Sequence, residues 1–178
     1  KRYRFVALAA LLFVGCATAN SGSADEQIYQ PADANATEAT VELLNDLYTL
    51  RERGVMLGHQ DDLAYGIGWT DEGDYRSDVQ MVVGDYPALF GWDLGHLELG
   101  DSQNLDQVPF EGMRRNAIWA DSKGGVNTFS WHLRNPLTGG DSWDVSSDKV
   151  VWSILHDEAV SAKYREWLDR LVAFMLSL

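Results

Sequence analysis

Apolar positions along the chain alternate between short solid runs and longer stretches with helical spacing. Val41, Leu44, Leu47, Tyr48 and Leu50 fall near one helical face and predict a helix over 37–53. Asn35 and Glu38 stand at capping-box spacing before it, and Gly54 is the expected left-handed stop. Val55-Met56-Leu57 is too short for a helix and predicts a buried strand, with a polar stretch over 58–74 behind it. The cycle then repeats. Residues 77–83 predict a short helix, and Pro87 introduces a second buried strand over 88–92. A loop over 93–108 leads to a helix opened by Pro109, with Phe110, Met113, Ala117 and Ile118 at helical spacing and Gly124-Gly125 at its end. A third strand over 126–131 and a loop over 132–148 follow. The last helix carries the clearest stripe: Tyr164, Trp167, Leu168, Leu171, Val172 and Met175.

Three strands therefore begin near positions 55, 88 and 126, each followed by loop and helix, which is the pattern of β/α units on a parallel sheet. An open doubly wound sheet and a (β/α)8 TIM barrel both fit that pattern. Gly58-His59-Gln60-Asp61 is not the glycine-rich turn a nucleotide-binding sheet wants, and the long polar loops after each strand favour the barrel. The expected fold is α/β, with the first three β/α units of a barrel present.

The start of the chain belongs to a different kind of pattern. Lys1, Arg2 and Arg4 precede an apolar run over 5–14, too short to span a bilayer, so residues 1–15 predict a signal peptide. Val14-Gly15-Cys16 resembles a lipoprotein signal in which Cys16 is lipidated; the alternative is a plain secretion signal cut after Ala17 or Ala19. Either way the protein is expected to be exported, at the cell surface or outer membrane of a bacterium if lipidated, otherwise secreted or periplasmic. Residues 16–36 are small and polar and predict a flexible tether, leaving 37–178 as the domain. The net charge of −13 argues against nucleic acid or anionic lipid as partners, and membrane contact is expected only through the lipid anchor. A neutral polysaccharide is indifferent to that field. The lone cysteine excludes a disulfide within the chain.

Four stretches resemble a known family. Leu57-Gly58-His59-Gln60-Asp61-Asp62-Leu63-Ala64-Tyr65-Gly66 resembles the end of the first barrel strand of family 26 glycoside hydrolases. Gly84-Asp85-Tyr86-Pro87-Ala88-Leu89-Phe90-Gly91-Trp92-Asp93, continued by Gly95-His96-Leu97-Glu98, is similar to their second strand. Gly125-Val126-Asn127-Thr128-Phe129-Ser130-Trp131-His132 with Asn135-Pro136, and then Ser142-Trp143-Asp144, are similar to the third strand and the substrate-side loop after it. The resemblance implies a retaining endo-1,4-β-mannanase acting on β-mannan without a cofactor. It places the two catalytic glutamates after the fourth and seventh strands. Neither is expected within this chain, and both the nucleophile and the acid/base are expected downstream of Leu178. The first residue, lysine, and a helix that runs through 174–178 to Leu178 without a capping residue lead to the expectation that the sequence is part of a longer one. A non-catalytic surface glycan-binding lipoprotein, or a glycanase acting on another β-linked polysaccharide, is the alternative.

Within the chain, the candidates are substrate-binding residues. His132 lies at the carboxyl end of a strand, where it is placed to donate to a sugar hydroxyl, against the alternative of a core histidine. Trp143 sits in a Gly- and Asp-rich loop and reads as a platform for a pyranose face, or as a loop anchor; Trp69 has a similar setting. Asp93 follows the second strand and either lines the cleft or caps the Gly95 turn. Asp61 and Asp62 are adjacent, so extended chain aims them apart, with one in the site or holding a loop and one on the surface. Asp93 with Glu98 is the one local pair that could act as acid and base. A metal site built on His59-Gln60-Asp61 lacks a second histidine at ligand spacing, and no metal is expected.

Overall fold

The computed structural model describes residues 28–178, so the expected signal segment 1–15, Cys16 and the first part of the expected tether lie outside the described residues. The described residues divide into two compact units, 28–54 and 55–178.

The first unit is built on helix α1 (Glu38–Leu50). Thr37, rather than Asn35, is its cap, the hydroxyl accepting from the Thr40 amide at 3.2 Å. The helix ends three residues before the expected stop, and Gly54 is not left-handed; the Gly54 amide simply reaches back to the Leu50 carbonyl at 3.2 Å. Within the segment expected to be a tether, Tyr29 stacks on Tyr48 with centroids 3.5 Å apart. Asn45 holds that residue's backbone at both its N–H (2.8 Å) and its C=O (3.0 Å).

The second unit carries a parallel three-stranded sheet in the order β1 (Gly58–Gln60), β4 (Leu89–Asp93), β5 (Val126–Ser130). A two-stranded antiparallel hairpin, β2 (Tyr65–Gly66) and β3 (Trp69–Thr70), interrupts the loop after β1. The first strand lies later than the apolar run predicts. Val55 is fully exposed and Leu57 mostly so, while the ladder with β4 runs over the polar Gly58-His59-Gln60. An edge strand is defined by its backbone hydrogen bonds to one neighbour, which any residue except proline supplies, so side-chain polarity is a poor guide to it.

β4 is the centre of the sheet, and its last four residues are buried. Phe90 and Trp92 point together toward α3 (Phe110–Ser122), where Met113, Ala117 and Ala120 close the core with Leu63 and Leu94. The indole of Trp92 keeps its polar handle satisfied by donating to Asn127 Oδ1 at 2.8 Å, and Asn127 donates in turn to the Ala117 carbonyl at 3.0 Å. Gly125 is required by this packing: a Cβ there would sit 2.6 Å from the Phe90 ring and 3.1 Å from the Ala120 carbonyl.

α2 (Asp78–Val83) is capped by Ser77 and stopped by left-handed Gly84. Two helices follow β5. α4 (Val150–His156), a helix not expected, lies just after the expected loop, and α5 (Glu158–Met175) is capped by Asp157, whose carboxylate accepts from the Ala159 and Val160 amides. Trp167 of α5 is buried, and Leu171 and Phe174 pack against the core. Val172 and Met175, expected in the same stripe, are exposed instead, because the buried face is centred on 160, 167, 171 and 174.

The helix expected to run on to Leu178 stops at Met175. Its last turn tightens: the Ser177 amide donates to the Phe174 carbonyl at 2.9 Å and the Leu178 amide to the Met175 carbonyl at 3.3 Å. Arg114 of α3 supplies a cap that no residue of the 174–178 stretch offers, donating from Nη1 to the Ser177 carbonyl at 3.1 Å. Among the described residues, no helix is long and apolar enough to cross a membrane.

Candidate functional site

Parallel pairing places the carboxyl ends of β1, β4 and β5 side by side, so Asp61, Asp93 and the 131–132 dipeptide come off one edge of the sheet. Asp93, the last residue of β4, is 3% exposed. Its Oδ1 accepts from the Gly95 amide at 2.7 Å, and its Oδ2 accepts from Ser130 Oγ at 2.6 Å and pairs with His132 Nδ1. Burial alone would push the Asp93 carboxyl up, but the hydrogen bonds from Ser130, His132 and Gly95 outweigh it and hold the group below its ordinary value. Asp93 is therefore the ionised acceptor that fixes the histidine ring, as well as the cap of the Gly95 turn.

The ring it fixes is half exposed. His132 stacks on Trp143 with centroids 5.5 Å apart and planes 12° from parallel, and Trp143 itself is 68% exposed. With Nδ1 committed to Asp93, Nε2 is the nitrogen left for an outside partner. The stacked pair leaves much of the Trp143 indole and the Nε2 edge of His132 open to solvent, suited to an apolar ring face bearing hydroxyls.

Asp61 and Asp62, expected at the cleft, are both buried, at 0% and 1% exposure. Asp61 takes left-handed backbone, φ 53°, as the chain leaves β1. Burial, with the negative charge of Asp106 adding to it, pushes its carboxyl from 3.8 up to about 6 against the hydrogen bond from Tyr65 Oη at 3.3 Å; Asp93 adds a smaller push. Burial also raises the Asp62 carboxyl, whose Oδ1 lies 3.2 Å from His59 Nδ1.

The Asp61 shift has a sign that can be checked. Between about pH 4 and 6 the folded chain holds a proton that the unfolded chain has released, so stability falls as pH rises through this window. Asparagine tolerates the left-handed backbone and keeps an acceptor for Tyr65. Asp61→Asn is expected to make the chain about 1–2 kcal/mol more stable near neutral pH. The same variant is expected to flatten the pH slope between about 4 and 6 in thermal unfolding. A variant as pH-sensitive as the parent in that window would contradict the assignment.

Trp69 turns inward to the hairpin. Its Nε1 donates to Asp78 Oδ1 at 2.7 Å, and the Arg76 guanidinium lies 5.2 Å from the ring centroid, so the side chain ties β3 to α2. Glu98 is 1% exposed, and its two oxygens accept from Trp131 Nε1 (3.0 Å) and the Arg134 amide (2.8 Å). Asp93 and Glu98 thus each have both oxygens engaged in holding the loops. Among the described residues, no three His, Cys, Asp or Glu side chains gather as a metal set.

Sequence reasoning missed Ser130 and Asn104. Ser130 is reached only through the β4–β5 register, which pairs it with Asp93. Asn104, 2% exposed, donates to the Asp93 carbonyl at 3.0 Å and accepts from the amides of Asp106 and Val108. Its position in a long polar loop, Asn-x-Asp-x-Val, carries the Asx-turn signal that would have singled it out.

Known proteins share this framework. The model of glycosyl hydrolase family 26 matches residues 32–174. A mannan endo-1,4-β-mannosidase from Bifidobacterium adolescentis is 30% identical over 146 residues, covering 80% of this chain and 14% of that protein. A GH26 β-mannanase from Bacteroides ovatus superposes with a TM-score of 0.76 at 46% identity, covering 80% of this chain and 41% of that one. A modular endo-β-1,4-mannanase from Cellulomonas fimi superposes with a TM-score of 0.67 at 33% identity, covering 82% and 33%. The chain thus spans less than half the length of each of these relatives. With the family model matching four-fifths of its length, the chain belongs to glycosyl hydrolase family 26.

Proposed function

We propose that this chain is the first three β/α units of a (β/α)8 barrel in an exported retaining endo-1,4-β-mannanase, and that it supplies part of the wall of the β-mannan cleft. The observation that carries the reading is the exposed His132–Trp143 pair, held by buried Asp93 at the carboxyl edge of the parallel sheet, in a chain whose relatives are mannanases. That edge is where barrel enzymes place their sites. Trp143 offers its face to a sugar ring, and His132 donates from Nε2 to a hydroxyl. Asp93 positions His132, while Asp61, Asp62 and Trp69 hold the surrounding loops without touching substrate. The reaction needs no cofactor. Export, by lipidation at Cys16 or by a cleaved signal, belongs to the same reading: it brings the enzyme to a polymer too large to enter the cell.

Retaining hydrolysis requires two carboxyl groups about 5–5.5 Å apart, both free to act on substrate. Asp93 and Glu98 are spent on hydrogen bonds within the fold, so the nucleophile and acid/base are assigned to chain downstream of Leu178. The intact protein is therefore expected to release reducing ends from β-mannan, and the 178-residue piece alone to release none above background. Turnover by the purified piece would overturn the placing of the catalytic carboxylates beyond Leu178; an intact protein inert on β-mannan but active on another β-glycan would overturn the substrate.

A further inference from the structure

A second cavity, about 590 Å³, opens between the β2–β3 hairpin and the first turn of α3. It shares no lining residue with the His132–Trp143 surface, and it lies at the same carboxyl edge of the sheet, since the hairpin follows β1 and the 104–109 turn follows β4. Resting on the mannanase reading, we propose that this cavity binds a neutral sugar unit of the same polysaccharide chain, separate from the unit on Trp143.

The cavity is built rather than left over. Asp71 Oδ2 pairs with Arg115 and also accepts from Asn116 Nδ2 at 3.0 Å, and Asn116, fully buried, donates again to the Leu63 carbonyl at 3.1 Å. Arg115 lines the cavity, and its Nε is buried without a hydrogen-bond partner among the described residues. An unmatched buried donor costs about 1–3 kcal/mol, which an acceptor oxygen of a bound hydroxyl would relieve here. Gln107 is held in left-handed backbone, φ 67°, by its amide's bond to the Asn104 carbonyl at 3.0 Å and by Asn104 Oδ1 bridging the amides on either side. Backbone strain of this kind, in a residue other than glycine, gathers at binding sites. Because Asn104 also holds the Asp93 carbonyl, one fixed loop runs from the cavity to the residue that orients His132.

The lining selects the ligand. Tyr65 presents a partly exposed ring, and Ala64 and Val108 give an apolar wall for a C–H face. Asp71, Asp106 and Glu111 outnumber Arg115, so an anionic sugar is repelled while a ligand rich in hydroxyl donors finds acceptors. The volume lies within the range of small-molecule sites and accommodates a single hexose unit.

The test compares short and long β-manno-oligosaccharides in the intact protein. Asp106 is exposed and its side chain makes no hydrogen bond among the described residues, so Asp106→Ala leaves the fold undisturbed; Tyr65→Ala is the second variant. In both, kcat/KM on long oligosaccharides is expected to fall about tenfold further than on the shortest one cleaved, because only long chains reach the cavity. Equal effects on short and long substrates in both variants would overturn the proposal while leaving the mannanase reading intact. A parent protein inactive on every oligosaccharide of the series would overturn the reading on which it rests.

Discussion

Asp93→Ala is expected to destabilise the fold by about 3 kcal/mol and to lower kcat/KM of the intact protein on β-mannan about a hundredfold. The stability loss follows from what the carboxylate does: it accepts from Ser130, from the Gly95 amide and from His132 while 3% exposed. Removing it strands the buried Gly95 amide and releases the His132 ring, while the exposed Ser130 hydroxyl keeps its bond to the Trp92 carbonyl at 3.2 Å; the cost of the unpaired amide exceeds the modest net worth of the bond itself. The activity loss follows from His132, whose ring is half exposed and whose Nδ1 has no other partner among the described residues. Asp93→Asn keeps an acceptor and the volume, so it should recover most of the stability and less of the rate. The pH dependence separates Asp93 from Asp61. A depressed folded pKa stabilises the chain above the unfolded value and loses that contribution as pH falls below about 4, whereas the raised Asp61 acts between about 4 and 6. In Asp93→Ala the acid limb of the stability profile should flatten below about pH 4, read by chemical denaturation at several pH values. An unchanged acid limb, or unchanged turnover, would remove Asp93 from the role given to it.

The parts of this fold legible in the sequence are those that report on burial. Pro87 before an apolar run and Gly124-Gly125 before another located β4 and β5 to within a residue: β4 is apolar because it is central and buried, and β5, the other edge, still turns Phe129 onto the core. β1 escaped the same reasoning: it is an edge strand of Gly-His-Gln, identified only by its ladder to β4. α4 escaped because seven residues are too few to establish a period, and Val151, Trp152 and Leu155 are exposed rather than facing a core. The close of α5 before Leu178 is equally invisible, since the group that caps it, Arg114, stands 63 residues upstream of Ser177. At the site, the position of His132 at a strand end was readable, and its partner was not. Asp93 and His132 are 39 residues apart and meet only because β4 and β5 pair in a register that sets Asp93 opposite Ser130. Adjacency alone sends Asp61 and Asp62 to opposite sides of an extended strand; the left-handed turn at Asp61 breaks that geometry, and both go inside.

Trp143→Ala is expected to lower kcat/KM of the intact protein on β-mannan by about ten- to a hundredfold while changing stability by less than about 1 kcal/mol. The two halves of that expectation rest on different observations. The loop that carries Trp143 is held by other groups: Asn135 Oδ1 accepts from the Leu137 and Thr138 amides, Ser142 Oγ donates to the Leu133 carbonyl, Thr138 pairs with Asp144, and Lys163 reaches the Pro136 carbonyl at 2.9 Å. None of these uses the indole, so the side chain is not the anchor of its own loop. Its ring is 68% exposed, and the contact it makes is the stack on His132. A large aromatic surface left in solvent, on a loop already fixed without it, loses hydration free energy that a bound ring face recovers. Trp143→Phe keeps part of that face and should fall between the parent and the alanine variant. Because the stack also limits where the imidazole can go, Trp143→Ala and His132→Ala should be less than additive in combination. A strong loss of stability with unchanged turnover would make Trp143 a structural residue, and strict additivity with His132→Ala would separate two groups that the geometry joins into one surface.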